Sequence, residues 1–276
     1  MDEIDRLQML AREIRKDVLR MTYEKKVGFI GTSFSCADIL AVLYGKIVKI
    51  DFSNLENEKN DMVILSKGHG ASAWYAALAN VGAFPKERLS QEFAVSGYAM
   101  GVHPKRNMVP GIQVSSGSLG QGCGIACGIA LTKKIKKIPS RVYAILGDGE
   151  CNEGSVWEAL MFARRYKLDN LTVIIDRNRL QSYGHDENVL NMGDLAQKAA
   201  AFGMHTVEID GHNLKELCQA FEAAENTLDK PTAIIANTIK GKGCSIFEDK
   251  VLWHYKWPEK EHYIKALEEL EGGLGQ

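Results

Sequence analysis

Two stretches decide the fold: Val142-Tyr143-Ala144-Ile145-Leu146-Gly147-Asp148-Gly149 and, further on, Leu171-Thr172-Val173-Ile174-Ile175-Asp176-Arg177-Asn178. Each begins as a short apolar run and stops at a glycine or an acidic residue, the pattern of a strand buried on both faces of a parallel sheet. Between them, residues 155–166 have the length and composition of a helix. Strand, helix and strand form a βαβ unit, whose crossover leaves both strand C-termini on one edge of the sheet. Asp148 and Asn178 are therefore expected to converge in space.

A carboxylate and an amide on one sheet edge suit Mg²⁺, which takes about six oxygens and commonly combines one or two carboxylates with ligand phosphates. Gly147 and Gly149 let the backbone turn beside Asp148 and approach a ligand, and open α/β sheets bind ligands outside the carboxyl ends of their strands. The pair reads as a magnesium diphosphate clamp. The same residues also fit a Gly-Asp-Gly turn with an unrelated asparagine, and spacing leaves both readings open.

Working outward, further strands are expected at 62–65, 205–209 and 232–236. Helices are expected at 71–81, 120–136, 195–202 and 214–228, with a last one near 259–270. Ile4, Leu7, Leu10, Ala11, Ile14, Val18 and Met21 recur at helical spacing, and 37–48 reads as a second helix. This order predicts an α/β fold: a doubly wound, mostly parallel sheet with helices on both faces. No linker or repeat divides the chain, so a single domain over 1–276 is expected. The long irregular stretch 84–116 contains His103 and is expected to line the site, because loops of that length in compact domains are usually functional.

Composition narrows the class. The chain has 276 residues, a formal net charge of -1 and 45% hydrophobic residues. The balanced charge lacks the basic surface that nonspecific nucleic-acid binding needs, and Lys133 to Lys137 read as a solvated helix end. There is no apolar run of about 18 or more residues, and the acidic start Met1-Asp2-Glu3 lacks a signal-peptide layout, so a cytoplasmic protein without membrane partners is expected. The six cysteines, Cys36, Cys123, Cys127, Cys151, Cys218 and Cys244, form no CxxC pair and read as reduced packing residues. Cys123 and Cys127 could share a helix face, but zinc would need two more ligands.

Beyond these patterns, the segment Gly147-Asp148-Gly149-Glu150-Cys151-Asn152-Glu153-Gly154, with Trp157-Glu158-Ala159, Leu168-Asp169-Asn170-Leu171 and 176–181, closely resembles the thiamine-diphosphate motif of transketolases. In the same order as in that family come Ser66-Lys67-Gly68-His69-Gly70, Val102-His103-Pro104, Pro110-Gly111, Ser116-Gly117-Ser118-Leu119-Gly120-Gln121-Gly122, Lys240-Gly241-Lys242-Gly243 and Trp253-His254. The resemblance covers nearly the whole chain. It implies thiamine diphosphate and a divalent metal, Mg²⁺ or else Ca²⁺ or Mn²⁺, held by Asp148, Asn178 and the Leu180 carbonyl.

The same resemblance implies the remaining roles. Gly147, Gly149, Glu150 and Ser118 belong to the cofactor segments. The Gly117 carbonyl accepts from the cofactor's 4'-amino group and Leu119 packs on the cofactor. His69 and His254 contact the diphosphate, His254 near the reacting carbon. His103 contacts hydroxyls of the donor sugar, with His69 and His254 also facing substrate and His103 and His254 acting in catalysis. Glu153 and Glu158 lie at a subunit contact in a proton-relay path. His185, His205 and His212 match no role.

Two departures stand out. Transketolases usually carry Gly-His-Pro-Gly or Gly-His-Ile-Gly where this chain has Gly28-Phe29-Ile30-Gly31, so a substrate-contacting histidine is replaced. Phe29 cannot hydrogen-bond a hydroxyl, and an unsatisfied polar partner costs roughly 1–3 kcal/mol, so a less hydroxylated or differently shaped sugar is expected. The second departure is the absence of a segment matching the family's pyrimidine-binding domain, whose glutamate contacts the cofactor N1'. The expectation is the N-terminal subunit of a split transketolase, inactive alone. It would transfer a two-carbon ketol unit between sugar phosphates with a C-terminal transketolase subunit carrying the pyrimidine-binding and C-terminal domains, two chains of each kind forming a heterotetramer. The alternatives are the alpha-type subunit of a 2-oxo acid decarboxylating enzyme and a noncatalytic cofactor-binding partner.

Overall fold

The five expected strands form and lie parallel in one sheet, as seen in a computed structural model that describes residues 1–272. They are Met62–Leu65 (β1), Val142–Gly147 (β2), Leu171–Arg177 (β3), His205–Asp210 (β4) and Thr232–Asn237 (β5), in the order β1-β2-β3-β5-β4. Val142 pairs with Leu171, and Gly147 pairs with Asp176 at the far end of the same ladder. Along the strands, side chains alternate between two cores. Tyr143, Ile145 and Ile174 face one, while Val142, Ala144, Leu146, Val173 and Ile175 face the other. That alternation explains the continuous apolar runs, since both faces of each strand are buried.

The helices are Glu3–Lys25 (α1), Ile30–Ser35 (α2), Ala37–Val42 (α3), Ala71–Asn80 (α4), Arg88–Glu92 (α5), Gln121–Ile135 (α6), Gly154–Arg165 (α7), Asp186–Val189 (α8), Leu195–Ala201 (α9), Leu214–Asn226 (α10) and Lys260–Gly272 (α11). One core is covered by α1, α2, α3, α4, α10 and α11. The other is covered by α6, α7 and α9. The α1 start is fixed by a capping box in which the Asp2 and Asp5 side chains each accept the other's backbone N–H. No helix among the described residues is long and apolar enough to cross a membrane.

Three readings need correction. The helix expected at 37–48 forms in place after a separate α2 and a break at Cys36, but its regular part is shorter and closes in a wide π turn over Leu43–Ile47. There Gly45 lies against Leu7 so closely that a β-carbon would collide with that leucine, and this docking on α1 takes precedence over regular helix geometry. Lys133 is not a solvated lysine; it is 7% exposed, and its ammonium donates to the Glu58 and Asn60 carbonyls and to Ser140 Oγ. The stretch 84–116 is only partly a site loop, because it carries α5 and buries Leu89, Phe93, Met100, Val109 and Ile112 in the core.

All six cysteines are buried and free of disulfides.

Candidate active site

At the carboxyl edge of the sheet, the turn after β3 folds over the turn after β2. Asp148 Oδ1 accepts the Gly149 N–H at 2.8 Å, and Oδ2 accepts the Arg179 N–H. Asn178 Oδ1 accepts the Leu180 N–H at 3.1 Å. The expected convergence of Asp148 and Asn178 is thus stitched by the aspartate itself. Burial, joined by repulsion from Asp176, pushes the Asp148 carboxyl up to about 6. Both of its hydrogen bonds come from neutral amides, so this buried carboxylate calls for a cation.

The oxygens of Asp148, Asn178 and Leu180 are hard donors suited to Mg²⁺, Ca²⁺ or Mn²⁺. The Leu180 carbonyl also accepts from Lys240 Nζ at 2.7 Å, and a carbonyl's second lone pair leaves it able to take a metal. Beside it, Gln181 Nε2 is buried without a hydrogen-bond partner on the cleft wall. Its side chain lies against Gly149, where a β-carbon would come within 3.2 Å of Gln181 Cγ. An orphaned donor next to a glycine turn and an oxygen set fits a bound diphosphate.

Beneath the turn lies a charged floor. Lys67 and Asp176, 1% and 0% exposed, form an ion pair. Lys67 also donates to the Thr32 carbonyl at 3.0 Å, while Ser35 and Thr238 donate to Asp176. Burial would raise the Asp176 carboxyl, but Lys67 and these hydroxyls hold it below its ordinary value. Glu150 braces the neighbouring loops, accepting from Ser66 Oγ, from Gly120 N–H at 2.8 Å and from Gly147 N–H at 3.1 Å. Its carboxylate is committed to these bonds even though the residue borders the cleft.

The opposite wall is aromatic. The Phe29 ring centre is 5.6 Å from His69, 6.1 Å from His103, 5.5 Å from His254 and 6.0 Å from Tyr255. Burial lowers all three histidines: His69 falls well below its ordinary value with Lys67 adding to the effect, His103 is lowered, and His254 falls to about 3 with Lys240 adding. They stand neutral at neutral pH, able to donate and accept hydrogen bonds. Gly117 borders His103 at a φ of +133°, and a β-carbon there would strike the imidazole.

The cleft between these walls measures ≈ 340 Å³ and is bordered by Phe29, His69, His103, Gly117, Leu119, Gly147, Asp148, Gly149, Glu150, Asn178, Leu180 and His254. Three expected residues lie elsewhere: Ser118, Glu153 and Glu158 are exposed and outside the cleft wall. Sequence reasoning quoted the segments holding Lys67, Asp176, Gln181 and Lys240 but gave none of these side chains a role. The available signal was a charged or polar residue beside each motif glycine or metal-binding turn.

Residues 7–270 match the family model described as the transketolase, thiamine diphosphate binding domain. The chain belongs to the transketolase family. It is 41% identical over 265 residues to the 6-deoxy-6-sulfo-D-fructose transketolase subunit of Clostridium sp. strain MSTE9, covering 96% of each chain. It is 35% identical over 268 residues to an apulose-4-phosphate transketolase subunit of Phocaeicola vulgatus, covering 97% of this chain and 95% of that one. The crystal structure of transketolase from Campylobacter jejuni superposes with a TM-score of 0.91 at 28% identity, over 98% of this chain. This chain spans only 43% of that transketolase, so the match is to its thiamine-diphosphate-binding part.

Proposed function

We propose that this chain is the N-terminal, diphosphate-binding subunit of a split, thiamine-diphosphate-dependent transketolase, and that all of it forms one cofactor-binding domain. The observation carrying this reading is the buried oxygen set of Asp148, Asn178 and Leu180 facing three neutral histidines across one cleft. The subunit relatives, matched along nearly their whole length, support the two-chain arrangement. The pyrimidine half of the site then comes from a C-terminal partner subunit, two chains of each kind forming the assembly.

Asp148, Asn178 and the Leu180 carbonyl hold Mg²⁺. The Gln181 amide and His69 donate to the diphosphate, and Leu119 and the Gly117 carbonyl border the remainder of the cofactor. Thiamine diphosphate supplies the carbon nucleophile that breaks and remakes the sugar's carbon–carbon bond. His103 and His254 orient sugar oxygens and pass protons at their ring nitrogens. Glu153 and Glu158, exposed on and beside α7, act across a contact with a neighbouring subunit. The donor is a ketose phosphate or, as the names of the relatives suggest, a sulfonated or branched sugar relative of one.

The test is ketol transfer to ribose 5-phosphate by this chain co-purified with a transketolase C-terminal subunit, with thiamine diphosphate and Mg²⁺. Xylulose 5-phosphate, 6-deoxy-6-sulfofructose and apulose 4-phosphate would be compared as donors. Turnover of any one by the complex, and of none by the isolated chain, is expected. A cofactor-loaded complex inactive on all three would reject the reading.

A further inference from the structure

Lys240 is only 2% exposed, yet it extends an ammonium into the core of the site. Nζ lies 2.7 Å from the Leu180 carbonyl and 2.9 Å from His254 Nδ1. Its stem is pressed onto α2, where a β-carbon on Gly31 would be 3.0 Å from Lys240 Cγ. Backbone bonds hold the surroundings: Gly241 N–H donates to Gly31 O at 2.9 Å, and Phe29 N–H donates to His254 O at 3.0 Å. These bonds fix the backbone on either side of both side chains.

An ammonium has three N–H donors and no lone pair. Nδ1 of His254 therefore meets it with its own lone pair, which leaves the ring proton on Nε2. That nitrogen sits 3.1 Å from Ser182 Oγ at the cleft. We propose that Lys240 is a positioning residue that locks His254 in its Nε2–H tautomer, so that the imidazole presents a hydrogen-bond donor to the cleft. The same ammonium holds the Leu180 carbonyl in place. That second effect rests on the proposed metal reading; the tautomer does not.

The arrangement has a chemical consequence. A donor fixed on Nε2 suits an oxygen carrying negative charge, on a diphosphate or on a sugar undergoing bond cleavage. Without the lysine the ring is free to exchange tautomers, and in one of them it would present a lone pair to that oxygen. Partners that orient a metal-bound histidine typically matter by about 10- to 100-fold in affinity or activity, and an effect of the same order is expected for this cofactor-facing one.

The experiment is ¹⁵N-histidine NMR of the full chain, with the His254 signals identified by their loss in His254→Gln. The wild type should show a pyridine-like Nδ1 and a pyrrole-like Nε2. In Lys240→Met the two shifts should move toward each other as the tautomers exchange, and thiamine diphosphate affinity with Mg²⁺ should fall by about tenfold or more. In Lys240→Gln, whose shorter side chain carries an acceptor oxygen as well as N–H donors, the lock should be partly lost and the two shifts should lie between those of wild type and Lys240→Met. A protonated Nδ1 in the wild type overturns the proposal, and so does a Lys240→Met spectrum identical to wild type. Should Lys240→Met fail to fold, the wild-type spectrum and Lys240→Gln still decide. A complex with the C-terminal subunit that binds no cofactor would sink the functional reading alone, since the tautomer is read without cofactor.

Discussion

Phe29 occupies the left-handed region at φ 69° and starts α2 without a side-chain cap. Histidine tolerates that conformation better than most bulky residues, so Phe29→His should fold. It would place a fourth imidazole among His69, His103 and His254 and restore a hydroxyl partner. Activity on xylulose 5-phosphate should rise by about tenfold, the worth of one hydrogen bond of roughly 1.4 kcal/mol; steady-state kinetics of the complex would check it, and an unchanged kcat/KM would count against a role for Phe29 in sugar choice. Asp148 gives the opposite experiment. Asp148→Asn removes a buried charge but turns an amide NH2 toward one of the two backbone N–H groups, so it should leave Tm without cofactor little changed while abolishing the Tm increase produced by thiamine diphosphate with Mg²⁺. Differential scanning calorimetry with and without both ligands reads both effects, and a variant still stabilised by them would remove Asp148 from the metal site. At this scale the motif residues were legible because glycines, histidines and acids at strand ends carry a chemical signature. Lys67 and Lys240 were not, since a buried lysine is recognised only by its acceptors, and Asp176 and Leu180 lie 109 and 60 residues away.

Between elements, Asp38 ties three segments together. Its carboxylate on α3 accepts from Arg15 of α1 at 3.0 and 2.6 Å, and it lies 2.7 Å from Nδ1 of His212 in the turn before α10. His212 Nε2 accepts the Ile239 N–H at 2.8 Å, so the proton on Nδ1 is donated to Asp38. Burial would raise this carboxyl, but Arg15 and His212 outweigh it and hold it at about 2, against an ordinary 3.8. A depressed carboxyl stabilises the fold above its unfolded value and loses that contribution as pH falls through the folded one. Asp38→Asn should therefore cost about 2 kcal/mol at neutral pH, a deficit shrinking between pH 4 and pH 2. Urea unfolding followed by circular dichroism across that range would test it, and a deficit independent of pH would refute the linkage. Strands were read well because runs such as Val173 to Ile175 are apolar on both faces. The helix at 37–48 was read in the right place, but its widening into a π turn over Leu43–Ile47 answers to packing of Gly45 on α1, which periodicity does not contain.

Across the molecule, α6 and α7 pack together on one face of the sheet and leave Ile125, Met161, Phe162 and Tyr166 between 38% and 52% exposed. Glu158 lies on the same helix as Met161, so this surface is where the proposed subunit contact belongs. Met161→Lys should weaken self-association of the chain by about tenfold or more in sedimentation equilibrium, as expected for a charge placed in an apolar contact. Equal association of variant and wild type would move the contact elsewhere. The sheet class and the site's edge were legible from strand order and motif position, whereas the exposed faces of α6 and α7 emerge only once each helix's buried side is known.

The parallel sheet also dictates when the site comes into being. Met62 pairs with Val142, and Lys67 meets Asp176 across 109 residues. Such pairings require long loops to close before any contact rewards them, so they form late in folding. The clamp residues lie within one βαβ unit, but their charged floor is completed only when Lys67 reaches Asp176, so thiamine diphosphate meets the finished site late in folding. Its stabilisation acts on a finished scaffold, lengthening the lifetime of the folded protein while leaving the folding rate as it was.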